Sequence, residues 1–366
     1  MTELPEKWRS LKSSGSWLQF RELLDSAVNT LLEEARDEIE VMDAYAIVLR
    51  ALAVATEVTL DPNPDAPSFA RMDTPARNIS GDNPDGEYDI TTIDGRSSYR
   101  VSGNKGTVTY FGFQVLGGIG MTPRHHVSYI KDEHIETDAN GNFELIFSTR
   151  KPQCHGQWIR ITEDASALVV RQYIGDRTTE TLATYRIERI DGPPIGTTVG
   201  DEVFAEKLVS TAWVMVKLAL LYRDIPGLLD KPNQLTTMSS QQAGAADSTP
   251  DNTYMIGVYD LDRDQALVVD VQPPKTRYWN FTVENIWHEC IEYLHHPVSI
   301  TNKHVRLRED NTARFIISHR KPESLRQDIN WIDTAGRRRG FIILRWLDCP
   351  DVAQPVLKLL SLDADF

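Results

Sequence analysis

The feature that most constrains this chain is an internal repeat. Phe143–Pro152 reads FELIFSTRKP, and 170 positions later Ala313–Pro322 reads ARFIISHRKP. Upstream, Asp94, Tyr110, Phe111 and Phe113 meet Asp262, Tyr278, Trp279 and Phe281 at an offset of 168. Downstream, Trp158 meets Trp331 at 173, and VVRQY around Arg171 meets ILRWL around Arg345 at 174. Four markers in the same order, drifting by six over the whole unit, mark a duplication with small loop insertions. Each copy holds short alternating runs rich in Val, Ile, Tyr, Phe and Trp, broken by Asp-Gly, Asn-Gly and Gly-Asn turns and without crossover-length helices. Antiparallel sheets packed face to face satisfy that pattern, so the expectation is two superposable antiparallel β-sandwich units in which Tyr110, Trp158 and Arg171 overlay on Tyr278, Trp331 and Arg345.

Helical periodicity is confined to two places. From Ser16 to Leu60, Trp17, Phe20, Leu23, Leu24, Val28, Leu31 and Leu32 recur every three or four residues, which predicts two helices; Val203–Arg223 predicts a third. The resulting division is a helical segment over 1–60, a first β-unit over 61–195, a helical linker and loop over 196–250 and a second β-unit over 251–366. The small, polar, aperiodic TTMSSQQAGAADSTPDN at 236–252 reads as a loop or mobile linker. The fold class is thus mainly β with accessory helices.

Composition then narrows function. A chain of 366 residues with 41% hydrophobic residues has material for more than one core, and its formal charge of −14 opposes a phosphate backbone, so nucleic acid is not an expected partner. No run approaches the length of a membrane span and the N-terminus lacks a secretory pattern, so the expectation is a cytoplasmic protein without a membrane partner. Cys154, Cys290 and Cys349 are far apart and form no CxxC, which suggests neither a disulfide framework nor a zinc cage. No cofactor is expected: GxSxG, GxxxxGK[ST] and a strand-borne GxGxxG are all missing. WHECIEYLHH at 287–296 offers HExxE, with Glu292 where a zinc helix needs its second His, so no metal is expected there either.

The residues also resemble known families. YMIGVYDLDRDQALVV from Tyr254, PPKTRYWNFTVENIW at 273–287 and NWIDTAGRRRGFIILRW at 330–346 resemble the bacterial domain-of-unknown-function family 1214. GDNPDGEYDITTIDG at 81–95 and VVRQYIGDRTTE at 169–180 are similar to the companion family 1254. The resemblance implies side-by-side β-sandwich or jelly-roll domains with helices around them and carries no activity. The Asp-Pro-Gly usual before the Asn-Trp pair is replaced by ESLRQDI.

Candidate chemistry is weighed against plain structural roles. Arg171 and Arg345 lie inside apolar β-runs, where a guanidinium must be paired or face a polar cleft. Asp176 or Glu180 would pair Arg171 and Asp333 would pair Arg345; the other reading is recognition of an anion. Thr149 in the first unit corresponds to His319 in the second, an asymmetry that suits a general acid or base working with Asp333, although a loop histidine is equally at home there. Arg320 follows the same strand. Asn330, Trp331 and Asp333 form NWID, a carboxylate, an amide and an aromatic platform for a ligand, or else a turn with a core tryptophan; Trp279 is a further aromatic candidate. Asp82, Asp85 and Glu87 in GDNPDGEY read as turn chemistry. From Thr301 to Arg345 eleven Lys and Arg face five Asp and Glu, a local surplus suited to an acidic small molecule. The functional expectation is an acid–base hydrolase or lyase acting on a hydroxyl- or carboxylate-bearing organic substrate in an interdomain cleft. The alternatives are a non-catalytic carbohydrate- or metabolite-binding protein and a structural or interaction protein.

Overall fold

In the computed structural model, residues 4–118, 121–192, 200–224, 227–244 and 248–366 are described. The first unit contains β1 (Ala70–Arg71), β2 (Gly86–Thr92), β3 (Tyr99–Asn104), β4 (Tyr110–Gly117), β5 (His125–Lys131), β6 (Asn142–Ser148), β7 (Gln157–Arg160), β8 (Ala165–Tyr173) and β9 (Thr184–Arg189). The second contains β10 (Gln234–Ser239), β11 (Asn252–Asp260), β12 (Gln265–Val271), β13 (Trp279–Val283), β14 (Ser299–Thr301), β15 (Ala313–Ser318), β16 (Ile329–Asp333), β17 (Arg339–Leu347) and β18 (Val356–Ser361). The first unit pairs a sheet of order β1-β2-β8-β4-β5 with one of order β7-β6-β3-β9, and the second repeats this as β10-β11-β17-β13-β14 and β16-β15-β12-β18. Adding nine to each label of the first unit reproduces the second, so the repeat is one of topology as well as of sequence.

Register repeats too. Tyr110 stands opposite Tyr173, two residues beyond Arg171, and Tyr278 bonds to Leu347, two beyond Arg345. Trp158 lies opposite Ile146 and Trp331 opposite Ile316, and each indole donates to a serine, Ser148 or Ser318, at 3.0 Å. One expectation needs correction: β6 with β7 and β15 with β16 run parallel, so each sandwich is antiparallel except at one edge pair. The excursions between these strands, residues 149–156 and 319–328, return the chain to the same end of the sheet.

Alternation decides where side chains go. On β8, Leu168 and Val170 join Phe111, Phe113, Val101 and Leu145 in the first core; on β17, Ile342, Leu344 and Trp346 join Phe281, Phe315 and Leu267 in the second. The intervening residues, Val169 and Arg171 on β8 and Ile343 and Arg345 on β17, must point away from their own sandwich.

Those outward faces are covered by helices. α1 (Lys12–Glu34) and α2 (Glu38–Ala55) are separated by an Asp37 N-cap that accepts from Glu40 N at 2.9 Å, while Glu40 accepts from Arg36 N at 2.7 Å. α2 runs on as a single π turn, Thr56–Leu60, and α3 spans Asp201–Ala219. Leu31, Ile47, Val48 and Met215 pack on Ile256, Val258, Phe341 and Ile343 of the second unit, and Val54 and Val58 pack on Ile90, Leu116 and Val169 of the first. No helix among the described residues is long and apolar enough to cross a membrane.

The segment expected as a loop at 236–252 is partly regular. Gln234–Ser239 forms β10, paired along all six residues with β11, and α4 (Ser240–Gly244) follows; residues 245–247 lie outside the described set. Main-chain pairing with an open sheet edge makes this strand, with only Leu235 and Met238 packed on the cores, which is why apolar periodicity missed it.

Candidate functional site

The two outward faces, together with α2 and α3, enclose a cavity of about 260 Å³. Its β walls are contributed in equivalent pairs: Tyr88 and Tyr254, Ile90 and Ile256, Val169 and Ile343, Arg171 and Arg345. Tyr88 is the register partner of Arg171, and Tyr254 of Arg345. The helical side supplies Val54, Val58, Val214, Lys217 and Leu218. Arg171 and Arg345 are 4% and 3% exposed, so two guanidiniums are withdrawn from water at one junction, an arrangement that is costly unless acceptors await them.

At the Arg345 end the partners come from two elements. Arg345 Nη2 donates to the carbonyls of Gly81 and Asp82 at 3.0 and 2.8 Å and lies 3.4 Å from Glu284 Oε1. Its Nη1 has no acceptor among the described residues. Glu284, fully buried just past β13, also engages His288 Nδ1 through its other oxygen. His288 sits in a turn with φ 67°, its carbonyl accepting from Gly81 N at 2.7 Å and its ring packed on Phe341. Gly81 has φ 73° and a Cβ there would lie 3.2 Å from His288 Nε2, so a side chain would be strained in the backbone and crowd the imidazole. Asp82 Oδ1 accepts from Cys290 N at 2.8 Å; burial, reinforced by the Glu284 carboxylate, pushes Asp82 well above the usual carboxylate range. Burial likewise pushes the Cys290 thiol well up.

Asp82, Glu284 and Cys290 bring ligand-type atoms within 4.8 Å of one another and are the one such group among the described residues. Arg345 Nη2 already lies 3.4 Å from Glu284 Oε1, and Cys290 Sγ stands 3.4 Å from the Asp82 carbonyl, so the three groups are tied into one hydrogen-bonded network with the guanidinium.

The Arg171 end is simpler. Arg171 Nη1 donates to Gln114 Oε1, a neutral amide two residues along β4 from its register partner Gly112. Leu116 occupies the position that Glu284 holds in the second unit, offset by 168. The two ends share the arginine and tyrosine, and the Arg345 end adds the bonded pair of Glu284 and His288.

Among the residues singled out from the sequence, the cavity gathers Arg171 and Arg345 from the expected site, together with Asp82 and His288. Their expected partners differ. Glu180 accepts from the backbone of Thr109, Gly175 and Asp176, and Asp176 caps Thr178, so neither is given to Arg171. Asp333 accepts from His296 Nδ1 and Ala335 N at 2.8 Å each and does not reach Arg345. His319 bonds to Thr334 Oγ1 at 2.8 Å and to the Leu261 carbonyl at 3.2 Å; it is near Asp333 in the sheet but bonded elsewhere. Asn330 ties the backbones of Arg306 and Arg314, Trp331 bonds Ser318, Trp279 packs at a tilt against Trp346 inside the second core, and Arg320 meets exposed Asp363. The 288–296 cluster disperses: Glu289 pairs with Arg50 at 3.1 Å, Glu292 and His295 are exposed, and His296 meets Asp333. Sequence reasoning passed over Glu284, Tyr88 and Tyr254, read Asp82 as turn chemistry and weighed His288 only as a metal ligand. The legible signal was Glu284 against Leu116, a break in the repeat just after the matching Val115 and Val283.

Fold and cavity together define a class: paired β-sandwiches of one topology, capped by helices, with a basic cavity at their junction. A family model described as "Protein of unknown function (DUF1254)" matches residues 232–347, most of the second unit, so the resemblance to a family of unknown function is supported there; the match falls on the unit that resembled family 1214 and not on the first unit, which has no assigned match. No curated protein matches the chain. The structure is similar to that of an uncharacterised protein from Burkholderia cenocepacia, 27% identical over 95% of this chain and 97% of that one, with a TM-score of 0.88. It is also similar in fold to the VPA0106 protein of Vibrio parahaemolyticus, 11% identical over 87% of this chain and 98% of that one, with a TM-score of 0.52.

Proposed function

We propose that the protein binds a small organic carboxylate with an apolar body in the cavity between its β-units. The observation that carries this reading is Arg345, a buried guanidinium lining the cavity whose Nη1 has no acceptor among the described residues. A carboxylate would complete its fork, and the aliphatic walls from Ile90, Ile256, Val169 and Ile343 would take the apolar body. The aromatic candidates for a sugar platform, Trp279 and Trp331, do not line the cavity, which favours a metabolite over a carbohydrate.

Acid–base turnover by a hydrolase or lyase is the second reading, and His288 favours it. It lines the same cavity, and Glu284 on Nδ1 fixes which ring nitrogen can exchange a proton with a ligand. In this reading His288 and Glu284 take the roles expected of His319 and Asp333.

The test is thermal stabilisation by carboxylic acids and by matched primary alcohols. At a hundredfold excess over Kd a true ligand adds about 2.7 kcal/mol. Carboxylates should stabilise the native protein but not the Arg345→Gln variant; equal shifts from alcohols would remove the proposal. His288→Gln should retain binding, and loss of turnover of a ligand so identified would establish the catalytic reading.

A further inference from the structure

We infer that β18 is a docking edge for a second copy of this chain, the two β18 strands pairing antiparallel across a two-fold axis so that their sheets become one. β18 ends the sheet β16-β15-β12-β18 and pairs with β12 alone, so among the described residues one side of its backbone has no strand beside it. Its sequence is VLKLLS, and Val356, Leu359 and Leu360 are 54%, 44% and 39% exposed. No other strand among the described residues exposes a large apolar side chain.

The duplicated unit supplies the contrast. Tyr99 stands between Phe147 and Arg189, and Leu267 stands between Ile317 and Leu359. Phe147 and Ile317 are equivalent in the repeat, so Leu359 takes the place of Arg189, and Val356 that of Arg186. On β9 these positions are charged and tied down: Arg189 pairs with Asp65 and Asp191, Arg186 bonds to Ser102, and Glu188 between them pairs with Arg100. Charges on an edge strand oppose the approach of another strand. β9 is guarded in this way, whereas β18 keeps one charge, Lys358.

The pattern of the edge selects its occupant. Leu362 and Phe366 turn back onto Ala266, Val268, Ile316 and Ile329, so the outer face of this sheet is already covered and the strand itself is what remains open. A neighbour must be a strand that meets Leu359 on the core face and Leu360 on the outer face and sets no cation opposite Lys358. A second β18 does this. An antiparallel pair related by a two-fold axis keeps core face with core face, and centring it on Leu359 sets Leu359 against its own copy and Lys358 against Leu360.

Sedimentation velocity on the full chain is expected to show a dimer at about 100 μM that dissociates on dilution, as a small edge interface should. Amide exchange over Val356–Ser361 should slow as the dimer forms. Leu359→Arg, which restores the residue type of β9, should weaken association about tenfold or more with the fold retained, because this side chain is already exposed in the single chain. Val356→Arg should act in the same direction, and Leu359→Ile should keep the dimer, which separates loss of the edge from loss of fold. A wild-type chain that stays monomeric at about 100 μM, or a dimer that survives both arginine variants with exchange over β18 unchanged, would overturn the inference.

Discussion

The two β-units share strand order, register and a tryptophan–serine bond, yet their buried arginines are supported in different ways. Arg171 leans on the neutral amide of Gln114, whereas Arg345 holds two carbonyls of the other unit and the carboxylate of Glu284, itself tied to His288. The scaffold was copied; the electrostatics were not. What differs is supplied by two substitutions on the scaffold, Thr282 for Gln114 and Glu284 for Leu116, and by the longer turn 285–298 that follows β13. A duplicated sheet can therefore keep its core unchanged and alter chemistry at the strand end, where a side chain leaves the ladder.

Removing the arginines should separate the ends most sharply. Arg345→Met leaves Glu284 buried without its cation and should cost about 3–5 kcal/mol in urea unfolding. Arg171→Met, which takes the donor from the neutral amide of Gln114, should cost about 1–3 kcal/mol. Equal costs would erase the distinction drawn here.

The long turn carries a second consequence, read through pH. Burial pushes Glu289 from 4.5 up to about 7 despite Arg50, so its protonated form favours the fold. That stability is fully present below pH about 4.5 and is lost as pH rises through about 7, on the order of 2–3 kcal/mol. Asp73, raised by burial to about 7 at the approach to β2, contributes with the same sign. Glu289→Gln should remove its own share and flatten the slope; an unchanged slope would place the effect in the first unit alone.

Cross-unit bonds give a finer comparison. Asn83 donates to Tyr278 Oη at 2.9 Å and accepts from Asn280 at 2.7 Å, while Asn252 of the second unit donates to Tyr173 Oη at 3.0 Å and its Oδ1 meets no donor among the described residues. Asn83→Ala should cost about 2–3 kcal/mol and Asn252→Ala about 1 kcal/mol by equilibrium denaturation. The smallest effect should be the most symmetric: Trp158→Phe and Trp331→Phe each lose one bond to serine and should each cost about 1 kcal/mol, with no difference between units.

The fold was legible where local chemistry and repetition agreed. Alternation around Arg171 and Arg345 identified their strands, and burial of a charge in an apolar run required partners. Which partners these would be was not legible, because Gly81 and Asp82 lie 264 and 263 residues from Arg345 and no local pattern encodes that contact. His319 and Asp333 attracted attention as proton carriers beside a strand, but strand-end geometry gave them to Thr334 and His296. His288 was visible as a residue and illegible as a role, since its orientation depends on a positive φ and on Glu284. β10 was hidden for the opposite reason: its pairing comes from a neighbour's open edge rather than from its own residues.

The order of synthesis meets an obstacle in how the helices are anchored. Glu40 on α2 forms a two-pronged ion pair with Arg339 at 2.6 and 2.7 Å, 299 residues downstream, and its carbonyl accepts from Trp287 Nε1 at 2.8 Å. Asp43, one turn on, holds Arg337 in the same way. A ribosome releases α1 and α2 first, but the sheet that neutralises Glu40 and covers Ile47 and Val48 is finished only when β17 emerges. Until then the nascent helices have an apolar face with nowhere to dock, and closing so long a loop is slow. Newly made chains should depend on chaperones in proportion to that wait, and moving α1 and α2 to the C-terminus by circular permutation should shorten it.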